Sequence, residues 1–132
     1  YQQLAIIKKV VADEDWPVEI IPGATVREED GLAMSSRNLR LDTAQRESAK
    51  EIHAIITNWI QSKAYTSTSP LDGRAELISA INDVAHLEVE YIEFSQAETL
   101  VPVNSFDLTV PTRVFAAVWC GKVRLIDNLP LF

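Results

Sequence analysis

The chain has 132 residues with 12 Lys+Arg against 19 Asp+Glu, a net charge of −7, and 47% of it is hydrophobic. That length supports one ordinary hydrophobic core, and the apolar content excludes intrinsic disorder. No apolar run approaches the ~20 residues of a membrane-spanning helix, one cysteine cannot staple a secreted fold, and the acidic balance disfavours nonspecific nucleic-acid binding. The chain starts at Tyr1-Gln2-Gln3 and reads at once as the interior of an element, so a piece of a longer protein is expected, and the single cysteine and acidic charge fit a cytoplasmic one.

Residues 2–12 place Leu4, Ile7, Val10 and Val11 at helical spacing, with Lys8 and Lys9 opposite. Asp13-Glu14-Asp15 and Pro17 end that pattern, and the β-branched run Val18 to Ile21 reads as a buried strand closed by Pro22-Gly23. Helix, loop and buried strand together suggest the last αβ unit of a parallel sheet. Residues 25–41 are polar and without periodicity; a loop of that length inside a domain is more often functional than idle.

Asp42-Thr43-Ala44-Gln45 is a capping box, and Ala49, Ile52, Ile56, Trp59 and Ile60 form the apolar stripe of a helix running to about Ala64. Thr66 to Gly73 is a turn in which Ser69-Pro70 starts a second helix, carrying Leu77, Ile78, Ile81, Val84 and Ala85. Val89 to Phe94, Val114 to Trp119 and Val123 to Ile126 read as strands, the last two joined by a tight hairpin at Gly121-Lys122. The expected class is α+β: two helices and about three antiparallel strands, preceded by the αβ unit.

The segment Thr25 to Asn38 carries the chemistry. Gly31 permits a sharp turn, Ser35 and Ser36 offer adjacent hydroxyls, and the Arg37 guanidinium presents donors that match phosphate oxygens. Arg27 and Arg40 add positive potential nearby. The plainer alternative makes these ordinary loop residues, with Arg37 paired to Glu28 or Asp30. His53 and His86 read as structural, His86 beside a helix C-terminus. Cys120 lacks an activating partner, Trp59 and Trp119 read as core, and the acidic runs 13–15 and 28–30 read as solvated stretches rather than a metal site.

The run Gly31-Leu32-Ala33-Met34-Ser35-Ser36-Arg37-Asn38, preceded by Thr25-Val26-Arg27-Glu28, resembles the signature of the pantothenate synthetase (pantoate–β-alanine ligase) family. Tyr1-Gln2-Gln3-Leu4 resembles the end of that family's Lys-Asp-Tyr-Gln-Gln motif, and Arg124-Leu125-Ile126-Asp127-Asn128 its C-terminal strand. The resemblance implies a C-terminal portion of such an enzyme: residues 1–27 from a Rossmann-like ATP-binding domain, 28–41 a phosphate-binding linker, and 42–132 an α+β lid. It implies ATP with Mg²⁺, and pantoate and β-alanine as small-molecule substrates, with no nucleic acid or membrane partner and a homodimer for the complete protein. By the same resemblance Ser35, Ser36 and Arg37 are the catalytic candidates that hold the ATP phosphates. Val26 and Met34 would meet the adenine, and Gln3 the pantoate. The family's His-x-Gly-His motif, the Lys-Asp pair before Tyr1 and the Mg²⁺-associated acidic residues have no counterpart here, and Ala24 stands where family members often carry proline. The chain alone is therefore expected to make no pantothenate. A reading from another class is a stand-alone α+β binding module.

Overall fold

A computed structural model describes all 132 residues. Helix α1 (Gln2–Asp13) is followed by an irregular segment and a 3₁₀ turn (Ser36–Arg40), then helices α2 (Thr43–Gln61) and α3 (Pro70–Asn82). Strands β1 (Leu87–Gln96), β2 (Thr112–Cys120) and β3 (Val123–Pro130) form one antiparallel sheet in the order β1-β2-β3.

Local chemistry sets the helix limits. At the start of α2 the Asp42 carboxylate accepts from the Gln45 N–H at 2.9 Å, and the Gln45 side-chain oxygen accepts from the Asp42 N–H at 3.2 Å, closing the capping box. The helix stops three residues earlier than its apolar pattern suggests, because Lys63 turns left-handed at φ 55°. Ser69 caps α3, with Pro70 at its first turn. That helix ends at Asn82, short of Val84 and Ala85, and the Asn82 side-chain oxygen instead accepts the Val89 N–H of β1 at 2.8 Å. His86 thus sits beyond the helix terminus, at φ 68°, where it turns the chain into the sheet.

Both helices cover one face of the sheet. Ala49, Ile52 and Ile56 of α2 and Leu77 and Ile81 of α3 pack on Ile92, Phe94, Val114, Ala116 and Val118 in one buried cluster. Phe94 meets Phe106 edge-on with ring centroids 5.0 Å apart and lies 5.3 Å from Trp59, so the long β1–β2 connection is pinned by aromatic contacts. The hairpin at Gly121-Lys122 forms as read, with Cys120 opposite Val123.

Two expectations fail. Val18 to Ile21 forms no strand: Val18 is 54% and Ile21 80% exposed, since no neighbouring strand in the chain takes up the N–H and C=O groups of this run. Helix α1 forms but buries no residue, and only the first half of the expected αβ unit is therefore present. Trp119 is 38% exposed because Val118 and Cys120 face the helices, which puts it on the opposite side of β2. On that side Tyr1 covers Phe115 at 6.1 Å between ring centroids, and the Arg113 guanidinium sits 4.1 Å from the Tyr1 ring.

Candidate functional site

The segment 25–41 is not structureless. Arg27 and Ala33 bridge as antiparallel partners, the Glu28 N–H donates to the Leu32 carbonyl at 2.8 Å, and the Met34 N–H donates to the Val26 carbonyl at 2.9 Å. Gly31 turns this small hairpin at φ 89°, and Leu32 plugs into the hydrophobic core. The chain then leaves at Ser35, whose hydroxyl caps the 3₁₀ turn by accepting the Arg37 N–H at 3.2 Å.

A cleft of about 250 Å³ opens beside this hairpin. Thr25, Met34, Ser35, Arg37 and Asn38 line it from the loop, Ile52 and His53 from α2, and Arg124 to Asn128 from β3. Of the residues singled out from sequence, Met34, Ser35 and Arg37 share this cleft. Ser36 starts the 3₁₀ turn next to it, and Val26 is exposed at the base of the hairpin. Gln3 is exposed on α1 and does not reach the cleft.

The loop presents free donors. The backbone N–H groups of Val26, Ser35 and Ser36 have no protein acceptor. The Arg37 side chain is exposed and makes no ion pair. Its proposed partner Asp30 instead binds Arg46 of α2 at 2.7 Å; that guanidinium holds the Asp30 carboxyl below its ordinary range, and the carboxylate raises Arg46 in turn. Arg27 contributes no free positive potential, because it is engaged with Asp127 of β3 at 2.8 and 2.9 Å and with the Gly31 carbonyl at 3.0 Å. Across the mouth, Arg124 is paired with Glu90 at 2.7 and 2.9 Å, which raises the arginine and lowers the glutamate. Glu90 reaches it because β1 carries a bulge between Val89 and Tyr91.

His53, read from the sequence as structural, lines the cleft with Nδ1 3.3 Å from the Asp127 carboxylate. Arg124, Asp127 and Asn128 line it as well, without a role expected from the sequence. The signal available for the last three was the C-terminal stretch 124–128, which returns to the loop only through the sheet. For His53 a mid-helix position beside an apolar stripe gave none. No group of three or more His, Cys, Asp or Glu side chains is arranged to hold a metal ion, and no helix is long and apolar enough to cross a membrane.

The family model for pantoate-beta-alanine ligase matches residues 1–130. A pantothenate synthetase of Ruegeria sp. (strain TM1040) is 38% identical over 98% of this chain and 45% of its own length. A pantoate–beta-alanine ligase of Oryza sativa subsp. japonica is 37% identical over 99% of this chain and 41% of its own. The crystal structure of pantothenate synthetase from Thermus thermophilus superposes with a TM-score of 0.85 at 32% identity, covering all of this chain and 47% of that one. The Francisella tularensis pantoate-beta-alanine ligase, solved in complex with beta-gamma ATP and beta-alanine, gives a TM-score of 0.67 at 30% identity over 99% of this chain and 40% of its own. The chain thus spans somewhat under half the length of the relatives it matches. With the fold, the serine-arginine loop and the match running from one end to the other, the chain belongs to the pantoate–beta-alanine ligase family.

Proposed function

We propose that this chain is the C-terminal portion of an ATP-dependent ligase that joins pantoate to β-alanine. In this reading residues 1–27 belong with an ATP-binding domain of Rossmann type, 28–41 form the phosphate loop, and 42–132 form a lid. The pantoate carboxylate attacks the α-phosphorus of ATP, forming a P–O bond to the acyl group while the α–β phosphoanhydride bond breaks and pyrophosphate leaves. The β-alanine amine then attacks the acyl carbon, and pantothenate and AMP are released after the amine loses its proton.

One observation carries the reading: Arg37 is free of carboxylate partners at a cleft whose rim offers the unused amides of Ser35 and Ser36. Charge builds on the β- and γ-phosphates as pyrophosphate departs, and hydroxyl, amide and guanidinium donors brought to that position stabilise it. Ser35, Ser36 and Arg37 are assigned to those phosphates. The free N–H of Val26 and the exposed thioether of Met34 flank the place for the adenine. Gln3 is assigned to pantoate, which requires the substrate to lie between α1 and the loop. Mg²⁺ is proposed to accompany ATP as co-substrate and activator in the complete protein. The complete protein is proposed to be a cytoplasmic homodimer.

Pantoate-dependent exchange of labelled pyrophosphate into ATP by the complete protein tests the assignment. No exchange, in a protein that is folded, overturns it. The 132-residue chain alone is expected to give neither exchange nor pantothenate, and turnover by it would show that the rest of the site is not needed. A non-catalytic binding module, the second reading, predicts no exchange from either form.

A further inference from the structure

We propose that Arg27, Asp127 and His53 act together as a positioning clamp that fixes the phosphate loop on the lid, so that Ser35, Ser36 and Arg37 meet ATP in one geometry. The proposal rests on the ligase reading above. Three elements meet at one carboxylate. Asp127 of β3 is 6% exposed at its side chain and accepts both terminal nitrogens of Arg27, at 2.8 and 2.9 Å, across a hundred positions of sequence. The same carboxylate accepts the Asn128 N–H at 2.7 Å and faces His53 Nδ1 of α2 at 3.3 Å. Arg27 also donates to the Gly31 carbonyl at 3.0 Å, so one guanidinium holds both the stem and the tip of the hairpin.

The His53 ring fills the remaining space under the turn. A Cβ at Gly31 would come within 2.6 Å of its Cδ2. Beyond Met34, Ser35, Ser36 and Arg37 are exposed, and the 3₁₀ turn they begin buries no residue. Asn38 carries that fixed position onward, its side-chain amide donating to the Ala33 carbonyl at 3.1 Å and its N–H to the Ser35 carbonyl at 3.0 Å.

The reason for such a clamp is geometric rather than energetic. A buried ion pair contributes little net stability, because desolvation offsets most of its attraction, and apolar replacements are often neutral. What a bidentate pair does supply is a fixed orientation. A displacement of about 1 Å in a positioning group costs on the order of 10²-fold in rate.

The test uses the complete ligase and two variants. Asp127→Asn removes the charge and half of the fork. The double variant Arg27→Met with Asp127→Leu removes the pair without leaving either charge stranded. Both are expected to lower pantoate-dependent pyrophosphate exchange on the order of 10- to 10²-fold and to raise the KM for ATP. The KM for β-alanine and the rate from pre-formed pantoyl adenylate should stay unchanged. Wild-type protein without exchange removes the ligase reading, and the clamp with it. With active wild type, unchanged exchange in either folded variant overturns the clamp alone. So does a loss that falls equally on both half-reactions, or a failure of both variants to fold, since either makes the pair a structural feature only.

Discussion

Gly31 passes so close beneath His53 that a Cβ added to the glycine would lie 2.6 Å from the ring's Cδ2 and 3.4 Å from Nε2. The φ of 89° at the same residue already excludes most L side chains, so steric and conformational demands coincide at the tip of the 27–33 hairpin. Gly31→Ala is expected to destabilise the chain by about 1–3 kcal/mol from the backbone conformation alone. Displacement of the His53 ring adds to that. Urea unfolding monitored by circular dichroism checks this, and an unchanged midpoint would show that the turn relaxes freely.

Arg37→Ala in the complete protein should separate chemistry from folding. Arg37 is exposed and makes no ion pair, so thermal stability should stay within about 0.5 kcal/mol of wild type. Adenylate formation should fall by about 10²–10³-fold, the usual cost of removing a transition-state charge stabiliser. A near-normal exchange rate would remove the residue from the phosphate site.

The Asp30–Arg46 pair anchors the outer side of the loop to α2 and makes a prediction about acid. The Asp30 carboxyl is held below its ordinary range, first by the Arg46 hydrogen bond. A lowered folded-state value means the unfolded chain binds the proton first. The contribution is complete above the ordinary carboxylate range and is lost as pH falls through about 4 and below. The pair is about a third exposed, which limits its effect to at most about 1 kcal/mol. Asp30→Asn keeps an acceptor for the Leu32 N–H that Asp30 now binds at 3.2 Å, so the difference reports the charge. Wild type should exceed the variant in urea midpoint at pH 7, and the gap should narrow as pH falls below about 4; a gap constant with pH would contradict the assignment.

Cys120 is fully buried against α2, where its thiol lies 3.4 Å from the Gln45 carbonyl and burial pushes it up from its ordinary value. It should resist a disulfide-exchange reagent at pH 8 for as long as the chain stays folded, and react stoichiometrically in denaturant. Rapid labelling of folded protein would show that β2 and the hairpin open locally.

Much of the fold follows from short-range patterns. The Asp42–Gln45 box, the Ser69-Pro70 start and the Gly121-Lys122 hairpin each involve residues within four positions of one another, and all form as their chemistry requires. The three-strand count of the α+β class held, although β1 and β3 run further than their apolar centres. Patterns that depend on a neighbour fared worse. Val18 to Ile21 has the composition of a buried strand, yet a strand is defined by its pairing, and none is supplied here. Trp119 sits in the nearly continuous apolar run Val114 to Trp119, which carries no alternation to say which face is covered.

The sequence alone determined the family, because the Gly31 to Asn38 run that carries the resemblance is contiguous and needs no distant partner to be recognised. Only the tertiary structure decided that Arg27 is neutralised while Arg37, like Arg40, stays free of an ion pair. Arg27 and Arg37 are equally cationic in the sequence, but β3 returns Asp127 to Arg27, and α2 brings Arg46 to Asp30. Charge neutralisation falls off over a few ångströms, so the partner of each guanidinium is fixed by where the sheet and helix place the carboxylates. That placement leaves Arg37 unpaired at the cleft.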